Sequence, residues 1–269
     1  MSGSLMTLGD QAYSWIEDGE PSASGLQATR WSTAPVLVRK GGPPLQDSNK
    51  RAFAGFSFLL LVMAALLFVP AWTASYWQAW TFLAVFGASA FAITLYLMAR
   101  DPKLLERRVH AGPMAEKETS QKIIQTITAI GFCAVLVVSA LDHRLVRTPM
   151  PAYVSLAGDA LVALAFLTIF FVYKENTFAS ATIELAPEQK VISTGLYKLV
   201  RHPMYMGAFL LFVGMPLSLG SLWGLFVIAL MLPALIWRLL DEENFLVKNL
   251  PGYAEYQNTV RHRLVPFLW

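Results

Sequence analysis

The chain has 269 residues, of which 55% are apolar and only 14% charged, with a formal net charge of +3 and a positive mean hydropathy. Soluble domains carry about 25% charged residues, so the composition excludes an ordinary soluble protein and describes a membrane one. The basic residues form no stripe with interleaved aromatics, so nucleic acid is not an expected partner. Cys133, the only cysteine, excludes an intrachain disulfide, a thiolate metal cluster and a CxxC redox pair.

Residues 1–50 stand apart. Gly, Ser and Pro supply 17 of them and no apolar period is sustained, which predicts a flexible tail. Trp15 and Trp31 suit a contact with the membrane surface. The stretch holds no uninterrupted apolar core of the kind a cleaved secretory signal requires.

A bilayer core takes about 20 mostly apolar residues in a helix. Spans are predicted at 52–72, 77–99, 123–141 and 153–173, with Cys133 packed inside the third. The apolar block 204–240 is too long for one span and is interrupted by MPLSLGSLWG. It reads as a helical hairpin turning near 218–221, its first arm short. The predicted fold is therefore all-α, a polytopic integral membrane bundle. It has about six transmembrane segments, five if the short arm does not cross, with a C-terminal hairpin and a tail. Three regions follow: the tail 1–50, four helices in 51–175 that would shape an acceptor pocket, and 176–269.

With the N-terminus in the cytoplasm, the inside regions 1–51, 100–122, 174–203 and 238–269 hold 19 of the 21 Lys and Arg residues, leaving only Arg144 and Arg147 outside. The positive-inside rule thus predicts cytoplasmic N- and C-termini. It also puts the polar segments of the C-terminal third on one side of the membrane.

Familiar soluble-enzyme motifs are missing: no GxGxxG, no GxxxxGK[ST], no GxSxG and no HExxH. This excludes the usual dinucleotide and phosphate loops, the nucleophile elbow and a paired-histidine metal site. No span carries the series of ionisable residues of an ion pathway.

Polar residues cluster instead in three places. In GLYKLVRHPMYMG (195–207), Gly195 permits a turn and Pro203 suits the first turn of a helix. The new helix offers free N–H groups and a partial positive charge to a polar or anionic ligand. Tyr197 and Tyr205 supply aromatic surface, and Gly207 allows close approach. The same residues also suit plain membrane anchoring, and for Arg201 that is the simplest reading.

In IWRLLDEENFL (236–246), Arg238 and Glu242 share a helix face while Glu243 points about 100° away. A surface salt bridge would serve there, but Arg preceding Glu is the weaker order for helix stabilisation. Pro233, inside the preceding apolar stretch, should bend the helix and open a cavity beside Arg238. The third cluster is the tail after Pro251 and Gly252, where Tyr253, Tyr256 and Val260 recur at helical spacing. It reads as a short amphipathic helix that could act as a lid.

The three clusters together resemble the C-terminal half of the isoprenylcysteine carboxyl methyltransferase family, related to the phospholipid N-methyltransferases. The resembling pieces are ENTF, VISTGLYKLVRHPMYMG, RLLDEENFL, GYAEYQNTV and a late Pro266, roughly a third of the chain. The resemblance implies S-adenosylmethionine as cofactor, bound at the cytoplasmic ends of the last helices. Matched to the cofactor motif are Tyr197, His202, Pro203, Met204 and Tyr205, with Glu242 as its acidic contact. Arg238 corresponds to the residue that orients the substrate carboxylate. Gln189, Lys190, Val191 and Ile192 correspond to a further cofactor-contacting stretch. That stretch often begins with histidine and here begins with Gln189, which moves the expected contacts to backbone groups.

The implied partner is a lipophilic small molecule or lipid-modified acceptor drawn from among membrane lipids. Sterol-type NADPH reductases resemble the same C-terminal region, but they typically carry an acidic residue where Ala208 follows Gly207. Methylation of a phospholipid or small amphiphile at nitrogen or sulfur is a second alternative, and a noncatalytic receptor or transporter on the same scaffold is a third.

Overall fold

The structure is a computed structural model that describes residues 45–109, 112–116, 118–179, 182–183, 185, 188–266 and 269. Nearly all of the predicted tail, with Trp15 and Trp31, lies outside the described residues. The chain is helical, with no strand among the described residues: α1 (Leu45–Ala71), α2 (Trp77–Arg100), α3 (Pro102–Val109), α4 (Thr119–Leu141), α5 (Ala152–Glu175), α6 (Pro203–Ser218), α7 (Leu222–Asn249) and α8 (Tyr253–Thr259). The first helix begins before residue 51, so the boundary drawn there from composition falls inside α1.

Five helices are long and apolar enough to cross a membrane, and α6 is shorter. At 1.5 Å per residue its 16 residues reach about 24 Å, against about 30 Å of hydrocarbon. The hairpin thus has one short arm and one long one, turning at 219–221. The protein is a multi-pass integral membrane bundle. Its outward surface is apolar, with Phe58, Leu61, Ile130, Phe226 and Leu230 all more than half exposed, as lipid-facing side chains are. Cys133 belongs to that surface and not to the packed interior expected for it. Helix periodicity turns Gly131 and Val135 inward and leaves Cys133 on the other face.

One end of the bundle carries Trp72, Trp77, Trp80, Tyr153 and Trp223, all exposed, an arrangement characteristic of a membrane interface. Buried polar contacts lock the hairpin turn at that end. Tyr76 Oη donates to Leu219 O at 2.7 Å, Ser221 Oγ donates to Asp142 Oδ2 at 2.6 Å, and Ser218 bonds Asp159. Ser221 also caps α7, its Oγ accepting from Gly224 N at 3.1 Å.

Helices α5 and α6 approach through small residues, the packing that membrane helices use where lipid supplies no hydrophobic drive. A Cβ on Gly158 would lie 2.1 Å from Ser218 N, and one on Gly214 3.0 Å from Val162 N. Gly158→Ala is therefore expected to cost about 1–3 kcal/mol through overpacking against backbone, seen as earlier thermal unfolding in detergent. Gly55→Ala, which meets nothing within 4 Å, should leave the transition in place.

Candidate active site

The opposite end of the bundle holds a cavity of about 440 Å³, within the range of about 300–1,000 Å³ usual for small-molecule and cofactor pockets. Its walls come mainly from the stretch before α6, the first turns of α6, the last half of α7 and the tail, with Gln125 and Thr128 of α4 and Ile169 of α5 also opening onto it. Every residue predicted for the site opens onto it: Gln189, Lys190, Val191, Ile192, Tyr197, His202, Pro203, Met204, Tyr205, Arg238 and Glu242. Local sequence explains the placement. Gly195 at φ 55° turns the chain into a short 3-10 turn over 195–198 that sets Tyr197, and Pro203 starts α6 at its first position with His202 as the cap residue. Pro233 lies inside a continuous α7, two residues before Leu235 and five before Arg238, both of which line the cavity.

Arg238 and Glu242 do share a face of α7, but they do not satisfy one another in the way an exposed pair would. Glu242 Oε2 accepts from Tyr205 Oη at 2.5 Å. Arg238 donates from Nη2 to Glu116 Oε1 at 2.8 Å and from Nη1 to Gln121 Oε1 at 2.7 Å, and Tyr205 also bonds its guanidinium. Glu116 sits in the turn between α3 and α4, with its side chain 1% exposed. Neither it nor Gln121 was singled out by sequence, because no local motif marks a contact spanning more than a hundred residues.

Arg201 and Glu243 depart most from expectation. Arg201 is not an interfacial anchor. Its side chain is 7% exposed, and Nε bonds Glu243 Oε1 at 2.7 Å. Its Nη1 donates to Val260 O at 2.8 Å and Arg261 O at 3.0 Å. Glu243 Oε2 takes a second cation, Arg263, at 2.7 Å, and His202 Nε2 lies 3.6 Å from Oε1. The 100° rotation between Glu242 and Glu243 thus divides labour on α7: Glu242 faces the cavity and Glu243 faces the tail. Helix α8 follows with Tyr253, Tyr256 and Val260 buried. Tyr256 Oη donates to Tyr197 O at 2.7 Å, so the amphipathic tail covers the 3-10 turn. Arg201 N and His202 N donate to His262 O and Arg263 O.

Burial pushes the Tyr197 phenol up to about 12; nearby Glu242 adds to the shift, and the Asn176 hydrogen bond at 2.8 Å opposes it. Burial likewise raises Tyr253, with Glu243 and Glu242 adding to it. Both phenols stay neutral at physiological pH and act as hydrogen-bonding groups and surfaces, not as bases. No cluster of three or more His, Cys, Asp or Glu suited to a metal ion is found among the described residues.

A multi-pass helical bundle with a polar cavity walled by its last helices is the frame of a membrane-embedded enzyme. Residues 153–251 match the family described as phospholipid methyltransferase, which takes in the related isoprenylcysteine-type enzymes. The match runs from the start of α5 past the end of α7 and contains Tyr205, Arg238 and Glu242. It implies membrane methyltransferase activity. No curated protein matches the chain.

Proposed function

We propose that this protein uses S-adenosylmethionine to methylate the carboxylate of a lipophilic acceptor resembling isoprenylcysteine, with the cofactor reached from the cytoplasm. The observation that carries the reading is the convergence of Glu242, Arg238 and the start of α6 on one cavity. The donor set suits the cofactor. The Glu242 carboxylate can accept from its ammonium or ribose hydroxyls, and the positive N-terminal end of α6 suits its carboxylate. Val191, Ile192 and Tyr197 offer flat and aliphatic surface to the adenine.

When bound, the cofactor supplies a sulfonium methyl: the acceptor oxygen forms the new C–O bond as the C–S bond breaks, its electron pair staying on sulfur, with no proton lost. A carboxylate is already ionised at neutral pH, so the protein has to position it more than activate it. Arg238 can orient one through its planar fork. An amine would have to shed a proton first and would need a base. His202, the nearest imidazole, has Nε2 turned towards Glu243 and Tyr253.

The second reading, N-methylation of a phospholipid amine, is favoured by the description of the matched family. Purified protein should bind S-adenosylmethionine in a calorimetric titration. It should also pass labelled methyl to N-acetyl-S-farnesylcysteine more readily than to phosphatidylethanolamine vesicles. Label appearing only in the phospholipid would move the assignment to amine transfer. Absence of cofactor binding, with NADPH consumed in the presence of enone lipids, would replace methyl transfer by reduction.

A further inference from the structure

Glu116 and Gln121 hold the two terminal nitrogens of Arg238, at 2.8 and 2.7 Å, and both lie outside the matched region 153–251. We infer that Glu116, supported by Gln121, is a positioning residue that keeps Arg238 from gripping the acceptor too tightly. The inference rests on the carboxylate-acceptor reading.

Glu116 is itself fixed from several sides. Besides Arg238, its Oε1 accepts from Gln125 Nε2 at 3.3 Å and its Oε2 from Ile183 N at 3.4 Å. Gln121 is braced in turn, its Nε2 donating to Asp241 Oδ2 at 2.5 Å. Arg238 is thus delivered to the cavity on a scaffold from α4 and the turn before it, and its positive charge is already matched by a buried carboxylate.

The chemical consequence concerns the nucleophile. An uncommitted guanidinium would take a carboxylate through two parallel N–H···O bonds, the strongest form of that pair. Both acceptor oxygens would then be stabilised in the ground state. Such binding tightens the complex without speeding transfer, because only interactions stronger in the transition state raise kcat. Glu116 and Gln121 each commit one of the five N–H donors, one on each terminal nitrogen, and the Glu116 carboxylate competes for the charge that a fully paired acceptor would take. The acceptor is then oriented through one oxygen while the other keeps its nucleophilicity.

The signature is a split between affinity and rate that simple structural damage does not produce. Glu116→Gln keeps the shape and removes the charge. For N-acetyl-S-farnesylcysteine it should lower both KM and kcat by about ten-fold, the order of one charge-assisted hydrogen bond. Binding of S-adenosylmethionine should stay within about two-fold. Glu116→Asp, which restores the charge, should return both parameters towards wild type, and the neutral amide of the probe should show no gain in binding. Gln121→Ala, read by direct probe binding, should shift affinity in the same direction and serves if Glu116→Gln does not fold.

Unchanged or weaker probe binding in these variants overturns the inference, as does joint loss of probe and cofactor binding. If wild-type protein binds cofactor but never methylates the probe, the carboxylate reading fails. The Glu116 role is then decided on probe binding alone: tighter binding in Glu116→Gln supports it, and equal or absent binding in both proteins overturns it.

Discussion

Replacing Glu242 by alanine is expected to weaken S-adenosylmethionine binding by about 10- to 100-fold, the range for losing a charged hydrogen-bond partner, and to bring methyl transfer close to background. The proposed role suits Glu242 because Tyr205, its hydrogen-bond partner at 2.5 Å among the described residues, orients the carboxylate without bringing a charge to it. Glu242→Gln separates charge from shape. It can still accept from Tyr205, so the fold should persist while the cofactor's ammonium loses its counter-charge. Calorimetry on protein in lipid nanodiscs reads both variants, and an affinity equal to wild type in Glu242→Ala would remove this residue from the cofactor wall.

The second large effect is expected at Arg201 and Glu243. Their side chains are 7% and 6% exposed; removing Glu243 leaves the Arg201 charge buried without a carboxylate, typically at about 3–5 kcal/mol, and removing Arg201 leaves Glu243 with only the more exposed Arg263 as a full cation. Arg201→Ala also strands the carbonyls of Val260 and Arg261. Either single variant should unfold at markedly lower temperature and lose cofactor binding as a consequence. The double replacement Arg201→Met with Glu243→Leu should be milder than either single change, since no unpaired charge remains between the two positions and Arg263, at 36% exposure, can turn to solvent. A double variant as unstable as the sum of the singles would mean that the carbonyl contacts, and not the charges, carry the stabilisation.

Much of the architecture is legible in the sequence because the bilayer imposes a length on each apolar run. The runs near 52–72, 77–99, 123–141 and 153–173 each became one helix, and MPLSLGSLWG contains the turn between α6 and α7, at 219–221. The cavity-facing residues were also readable. A proline-started helix and a face shared at i and i+4 are local patterns, and both survive into the fold. What could not be read were contacts that join distant segments. Glu116 meets Arg238 across 122 positions, and nothing around it resembles a motif. Glu243 was passed over for a related reason: its angle on α7 turns it away from Arg238, and only the returning tail shows what it faces. Arg201 beside an apolar run has the same local appearance whether it meets headgroups or a buried carboxylate. Cys133 failed through its environment, since in a bilayer an apolar residue can face outward at no cost.

The tail contacts give the site an order of assembly. Arg201 is satisfied by carbonyls of residues 260 and 261, and the backbone before α6 bonds residues 262 and 263. In a chain synthesised from its N-terminus, the transmembrane helices can insert well before those acceptors leave the ribosome. During that interval the Arg201 guanidinium and the first turn of α6 have no tail to close against. Maturation of the site therefore waits for these tail residues, and cofactor binding to stalled nascent chains should appear only once residue 263 has been released from the exit tunnel.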